Sequence, residues 1–255
     1  FAYTKDKTNK SNKQTLLKIK NINRFLRLYN NMKINIPTSL NEIKLYQYQE
    51  FINISKQENQ DEDFLKHKMI QIFCNVDLKY VLNIQFKDVE EITQKIASLF
   101  NGNHKLITRF KLNDLDFGFI PNLDNMSAGE VVDLDTYISD WSMMNKAMAV
   151  LFRPVVNKLS DKYVIEKYEG SDKYSDILKT MPLDVALGAS VFFWTLGQDL
   201  MSSTLTYLAE NQEVMNIVNK HNLENVGAGI HLSMEQLRET FSDLMKLPHY
   251  QFIHS

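Results

Sequence analysis

The sequence predicts an α+β protein that is predominantly α-helical, with a small antiparallel β-hairpin or sheet in the middle of the chain. Three observations predict this fold class. Apolar residues recur at helical spacing over most of the 255 residues, and the period changes to two between residues 106 and 120. Only eight glycines and five prolines interrupt the chain. A hydrophobic fraction of 44% and a charged fraction of 24% are typical of a globular protein with a buried core.

Helix-start patterns occur in the part of the chain before residue 106, where the alternation of polarity begins. Ser39 and Glu42 have the spacing of a capping box, which predicts a helix that continues through Ile52. Asp88 and Glu91 predict the start of a third helix in the same way. Between these two, a second helix is predicted to bury five apolar side chains, Phe64, Leu65, Ile70, Ile72 and Phe73.

The hairpin is predicted from two β-prone runs on either side of a short polar turn. Residues 106–112 alternate in polarity, residues 117–120 form the second run, and the Asn/Asp-rich residues 113–116 lie between them. Pro121 cannot donate a hydrogen bond to a neighbouring strand, so it ends the second strand. A third strand is expected within residues 162–168, because an isolated hairpin is marginally stable in water.

Helical patterns return after the hairpin. Ser127 and Glu130 form another capping box, and a methionine-rich helix follows until it is broken near Arg153-Pro154. The final third, residues 183–247, is predicted to be helical again. Residues 185–208 are apolar enough to raise the question of a membrane span, but Asp199 would lie inside the bilayer at a cost of roughly 2.5–3.5 kcal/mol. A core helix is therefore expected here, and no membrane partner.

One segment combines aromatic anchors with flexible methionines, a composition typical of adaptable interfaces. Its members are predicted to bind a partner protein: Trp141, Met143, Met144, Met148, Phe152 and Arg153. Core packing is the favoured alternative for these residues, because Trp141, Met144, Met148 and Leu151 also fall on one helical stripe, and such stripes usually pack in the core.

No motif in the sequence predicts catalysis, a metal or a cofactor, and none is expected. Cys74 follows Ile72-Phe73, where a cysteine is typically a small buried apolar residue. Asp133 and Asp135 resemble the Asp-x-Asp metal motif of some glycosyltransferases. Two residues at i and i+2 on a helix point to different faces, so a solvated acidic helix start is the favoured interpretation. A metal enzyme built on these two carboxylates is the minor alternative.

Basic residues are concentrated at the beginning of the chain. Residues 1–35 contain one acidic residue, Asp6, and nine basic ones: Lys5, Lys7, Lys10, Lys13, Lys18, Lys20, Arg24, Arg27 and Lys33. Residues 1–31 are expected to be a poorly ordered leader or to lie outside the native domain, since Met32 reads like a natural start. Residues 32–255 then form a single, mostly helical domain. An amphipathic helix over residues 16–29 that binds nucleic acid or a membrane surface is one alternative, and an organelle-targeting peptide is another.

The overall charge bears on possible partners as well. A formal net charge of −2 argues against general nucleic-acid binding, except through the basic leader. One cysteine cannot form an internal disulfide. Because no catalytic motif is found, surface for protein partners remains, with a homo-oligomer as one possibility.

Five blocks of the chain resemble proteins of tailed bacteriophages. They are Ile36-Pro37-Thr38-Ser39-Leu40-Asn41-Glu42-Ile43, Tyr46-Gln47-Tyr48-Gln49, Phe117-Gly118-Phe119-Ile120-Pro121-Asn122-Leu123-Asp124, Asp133-Leu134-Asp135-Thr136-Tyr137-Ile138 and Lys146-Ala147-Met148-Ala149-Val150-Leu151-Phe152-Arg153-Pro154. The resemblance extends over residues 32–252. It implies a non-enzymatic virion morphogenesis protein, either a tail-assembly chaperone or a minor virion component. Such a protein would bind a virion or tail protein in the host cytoplasm, and it could remain in the virion.

Overall fold

A computed structural model describes residues 34–57, 61–160 and 162–210, in which helices precede, interrupt and follow the strands of one small sheet. The helices are α1 (Leu45–Ser55), α2 (Glu62–Phe73), α3 (Leu78–Val81), α4 (Phe86–Ser98), α5 (Ala128–Tyr137), α6 (Met144–Leu151), α7 (Asp172–Leu178) and α8 (Leu183–Glu210). The strands are β1 (Arg109–Leu112), β2 (Leu115–Phe119), β3 (Phe152–Leu159) and β4 (Lys162–Ile165). The predicted fold class, mostly helical α+β with a small antiparallel sheet, is confirmed.

The four strands form one antiparallel sheet in the order β1-β2-β3-β4. The predicted hairpin is its first half, and its turn consists of Asn113 and Asp114, with φ angles of 47° and 64°. Two consecutive residues in the left-handed region are typical of the tightest hairpin turn, and Asn and Asp tolerate that conformation best. The predicted third strand is β4, which ends at Ile165.

An apolar core joins residues of the helices and of the sheet. Phe110, Phe117 and Phe152 meet there, with the Phe110 and Phe117 rings stacked at 5.5 Å. Phe192 and Phe193 of α8 also pack against Phe119. Aromatic contacts therefore fasten the long final helix to the sheet.

Buried amides connect the first helices to the later ones. The side-chain NH2 of Gln49 in α1 donates to the carbonyl oxygen of Trp141 at 2.9 Å and to the side-chain oxygen of Asn145 at 3.1 Å. The Asn145 amide in turn donates to the carbonyl oxygen of Ser175 in α7 at 3.1 Å. These bonds satisfy polar groups that would be costly to bury unpaired, and they fix α1, α6 and α7 relative to one another.

The first helix begins later than the Ser39–Glu42 spacing predicts. Residues Leu40–Glu42 form a short 3-10 turn, and α1 starts after Lys44. There the Gln47 side-chain oxygen accepts a hydrogen bond from the backbone N–H of Lys44 at 2.9 Å. Glu42 instead accepts a 2.6 Å bond from the Thr38 hydroxyl, so the predicted capping pair stabilises a turn.

Two further sequence predictions need correction near the other helices. The sequence predicts Phe64 and Leu65 to be buried in α2, but Phe64 lies in the first turn and is 38% exposed, and Leu65 is only half-buried. The third helix that the sequence predicts is α4, which begins at Phe86, two residues before the predicted start at Asp88. The part of the predicted final helix beyond residue 210 lies outside the described residues, as does the basic leader.

Strand β3 is a strand that the sequence does not predict, and the short helices α3 and α7 are not predicted either. The apolar run of α6 continues directly into β3 at Phe152, without an intervening turn, and Pro154 lies inside the strand. The first three residues of β3 pair with β2 and the later ones with β4, with a bulge between Val155 and Asn157. Pro154 is tolerated because its missing N–H falls where the pairing partner changes.

Gly118 in β2 is required by a close approach of β4. A Cβ atom at this position would lie 2.5 Å from the Tyr163 ring and 3.0 Å from Ile165 Cγ2. The Tyr163 hydroxyl reaches across the sheet and donates to the carbonyl oxygen of Phe119 at 2.8 Å. Because Gly118 points to the face opposite Phe117 and Phe119, the side chains of Tyr163 and Ile165 lie on the sheet face opposite the aromatic core.

Candidate partner-binding groove

An open groove of about 350 Å³ lies between the beginning of the described chain and α4. Its apolar lining consists of four isoleucines, Ile34, Ile36, Ile84 and Ile92. Its polar lining consists of three residues of α4, Asp88, Glu91 and Lys95. We call this site the isoleucine groove.

Helix α4 forms one wall of the groove. One side of this helix is apolar and buried in the core, and the adjoining flank, which lines the groove, is mostly polar. Val89 and Ile96 are buried in the core, 1% and 0% exposed. Asp88, Ile92 and Lys95 follow one another at spacings of four and three residues, which places them along one flank of the helix. Ile92 is the apolar member of this flank and forms part of the groove floor.

The charges on the groove rim are only partly compensated. Lys95 Nζ lies 2.7 Å from Glu91 Oε1, and this hydrogen bond holds the pKa of Glu91 below its usual value. Asp88 has no cation within 4 Å among the described residues. The groove therefore presents an acidic carboxylate beside an apolar floor.

Two large apolar side chains close to Ile84 in the chain are exposed. Leu82 is 62% exposed and Phe86 is 59% exposed. Each lies two residues from Ile84, which lines the groove and also packs against the core. Exposed apolar side chains of this size, next in the chain to a residue that lines the groove, are typical of protein-binding surfaces.

Sequence reasoning did not find this groove, because its parts are separate in the chain. Phe86 lies three residues before the buried Val89, so periodicity assigns both residues to the same face. Phe86 is nevertheless exposed because it forms the first residue of α4, at the edge of the core. The signal that the sequence offers for the groove is Phe86 itself, a large apolar residue at the first position of an amphipathic helix.

The residues that the sequence predicts as partner-binding lie elsewhere. Trp141, Met144, Met148, Phe152 and Arg153 are buried within the chain, and only Met143 is partly exposed. A partner has no access to the five buried side chains in this conformation. They belong to the core, as the alternative interpretation of the helical stripe expects.

Arg153 forms a buried ion pair with Glu130. Arg153 Nη1 donates to Glu130 Oε1 at 2.5 Å, and both side chains are 8% exposed. The other Glu130 oxygen accepts 2.7 Å bonds from the backbone N–H and the hydroxyl of Ser127, which confirms the predicted capping box. Burial raises the pKa of Glu130, but the bonds from Ser127 and Arg153 outweigh it and leave the pKa below its usual value.

The other candidate chemical groups are also engaged in the structure. Asp133 accepts a hydrogen bond from the Tyr168 hydroxyl, and Tyr168 lies beside Arg153, whose guanidinium is 5.4 Å from the ring centre. Burial raises the pKa of Cys74 to about 11, so this thiol stays protonated at neutral pH. In residues 34–57, 61–160 and 162–210, no three His, Cys, Asp or Glu side chains are grouped to hold a metal.

Compared with protein-family models, curated proteins and solved structures, the chain matches none of them. The resemblance to tailed-bacteriophage proteins therefore stays a prediction from the five sequence blocks. None of the helices in the described ranges combines the length and hydropathy that crossing a bilayer requires.

Proposed function

We propose that this protein is a non-enzymatic bacteriophage assembly protein, most similar in role to a tail-assembly chaperone, which binds another virion protein through the isoleucine groove. The observation that carries the proposal is the exposure of Leu82 and Phe86 beside an apolar groove of about 350 Å³. The phage-like sequence blocks supply the class of partner. A minor virion component is the alternative role, with the same surface in use.

The groove suits an amphipathic helix of the partner. Helix-in-groove recognition places a few apolar anchors of one helix into an apolar groove of another protein. The four isoleucines would receive those anchors, while Leu82 and Phe86 would cover the sides of the bound helix. Asp88 favours a partner with a basic residue beside its apolar anchors, because opposite charges select and orient partners.

Such binding would act as chaperoning by removing apolar surface from water. A long helical tail protein exposes apolar stripes before it assembles, and exposed stripes of that kind promote aggregation. Burial in the groove would hold the partner soluble in the host cytoplasm until assembly. Because one groove covers only a short segment, several copies of the chaperone would protect one long partner.

Photo-crosslinking at the groove tests this function. We would replace Phe86 with a photo-crosslinking amino acid in the full chain, express it in cells in which the phage replicates, and identify adducts by mass spectrometry. We expect adducts with a tail or virion protein. The matched control places the same amino acid at Lys111, an exposed residue of β1 outside the groove.

Two results would contradict the proposal. Adducts at residue 86 that contain no virion protein would remove the assigned partner class. Equal yields of the same adduct at residues 86 and 111 would show contact that does not depend on the groove.

A further inference from the structure

Strand β4 is an edge of the sheet that has no neighbouring strand within the described part of the chain. Its residues alternate between exposed and half-buried, and Val164 at its centre is 57% exposed. Open edges of this kind present backbone groups that can pair with another strand, and natural proteins usually protect them.

The backbone groups at this edge point outward at two positions. Alternate residues of an antiparallel strand direct both their N–H and C=O groups to the same side. The N–H of Glu166 donates to the carbonyl oxygen of Pro154 in β3 at 2.9 Å, so Glu166 faces the sheet. The peptide groups of Tyr163 and Ile165 therefore face away from β3, where they offer two donors and two acceptors.

The side chains follow the same alternation. Tyr163 and Ile165 lie over Gly118 on one face of the sheet. Lys162, Val164 and Glu166 therefore project towards the opposite face. Along that face the order is basic, apolar, acidic.

This order is complementary to itself when the strand is reversed. If two β4 strands run antiparallel with Val164 opposite Val164, Lys162 of each copy lies opposite Glu166 of the other. In the same register Tyr163 lies opposite Ile165, and their outward peptide groups meet as hydrogen-bonded pairs. This one register therefore pairs the backbone groups, the charged side chains and the apolar side chains of the two copies.

We propose that a second copy of this chain binds at β4, so that two sheets join into one eight-stranded antiparallel sheet across a two-fold axis. Such an axis uses the same surface on both copies. The register predicts four backbone hydrogen bonds, two Lys162–Glu166 ion pairs and one central Val164–Val164 contact.

The dimer forms in a concentration-dependent manner. An edge made of the four residues of β4 and Glu166 after it buries less surface than the roughly 1,200–2,000 Å² of a standard stable interface. Glu166 also accepts a 2.8 Å bond from Lys173 and a hydrogen bond from the Tyr174 hydroxyl, so it shares its carboxylate between both partners. A carboxylate has about four acceptor sites, which leaves room for the incoming lysine.

Sedimentation velocity of the full chain over a wide concentration range tests the proposal, with charge-reversal variants as the probe. Lys162→Glu and Glu166→Lys each place like charges opposite one another in the homodimer. We expect each variant alone to raise the dimer dissociation constant by roughly tenfold, because two attractive pairs become repulsive. An equimolar mixture of the two variants restores both attractive pairs, so we expect it to dimerise like the wild type.

Lys111→Glu is the matched control, since it makes the same charge change on the exposed face of β1 at the other edge of the sheet. It should dimerise normally. A wild type that remains monomeric at every concentration would overturn the proposal, and so would a dimer that Lys162→Glu leaves unchanged. Should Glu166→Lys fail to fold, the comparison of Lys162→Glu with Lys111→Glu still tests the proposal. Hydrogen exchange adds a backbone readout, because the Tyr163 and Ile165 amides should become protected only as concentration rises.

Discussion

Helix α6 and the surface around α4 contain similar apolar residues but place them differently. In α6, Met144 and Met148 are fully buried, and Trp141 just before the helix packs edge-on against Tyr48 at 4.8 Å. Leu82, before α4, and Phe86, its first residue, are more than half exposed. The difference lies in what surrounds each segment, since α6 has helices α5 and α7 on its sides and the groove is open.

This contrast shows why composition alone assigned buried residues to a partner surface. Methionine-rich and aromatic segments are used both in cores and in adaptable interfaces. The polarity of the surrounding residues does not separate the two uses, because tertiary packing decides which stripe is covered. Exposure in the folded chain is the property that separates them.

The largest expected difference between the two regions concerns their ion pairs. Arg153→Ala should lower the free energy of unfolding by about 3–5 kcal/mol, because it leaves the buried Glu130 carboxylate without its charge partner. Lys95→Ala removes the exposed Glu91–Lys95 pair and should leave unfolding unchanged within error. Urea denaturation of both variants measures the difference. Equal effects would mean that Arg153 and Glu130 are solvated in solution.

Apolar truncations should separate the core from the groove almost as strongly. Met148→Ala is expected to cost about 2–5 kcal/mol of stability, since it opens a cavity at a fully buried position. Leu82→Ala removes a side chain that is mostly in water and should change stability by less than about 0.5 kcal/mol. Thermal unfolding checks both values. A large loss for Leu82→Ala would assign this residue to the core and remove it from the partner surface.

Two glycines provide a smaller contrast between the sheet and a helix. Gly118→Ala should destabilise the fold by about 1–3 kcal/mol, because the added Cβ would overlap the Tyr163 ring. Gly129→Ala in α5 meets no atom within 4 Å and should stabilise by about 0.4–1 kcal/mol. Denaturant midpoints of both variants provide the comparison. A neutral Gly118→Ala would show that Tyr163 does not hold its position over β2.

The buried pair should also give the fold an acid-sensitive component. The folded pKa of Glu130 lies below its unfolded value of about 4.3. The pair therefore contributes fully above that pH and loses its contribution as the pH falls through the folded pKa. Unfolding free energies of the wild type and Glu130→Gln, measured from neutral pH downward, should converge in acid. Parallel curves would contradict this role for Glu130.

The sequence predicts the hairpin β1–β2 well because its information is local. Alternation and the Asn113-Asp114 turn occur within a few residues, and the same holds for the Ser127–Glu130 capping box. Strand β3 could not be predicted in this way, since Phe152 continues the helical pattern of α6 and becomes a strand by pairing with Phe119. The strand registers depend on residues that are distant in the chain, so the periodicity of the sequence does not predict them.

The candidate site shows the same limit. Ile34, Ile84 and Ile92 come together only in the folded chain, and nothing in their own neighbourhoods predicts a groove. Trp141 and Met148 have the composition of an interface, but the helices that cover them are distant in sequence. Local patterns predict elements, whereas the exposed surfaces depend on how those elements pack.

The most direct test of the central claim is a count of infectious particles from a phage that carries the variant Leu82→Glu/Phe86→Glu. Both residues are mostly exposed, so the variant should fold and accumulate normally, and Lys111→Glu provides the control for added negative charge. The groove account predicts few infectious particles and aggregated tail protein from the double variant, with normal yields from Lys111→Glu. Normal yields from a folded Leu82→Glu/Phe86→Glu protein would contradict it.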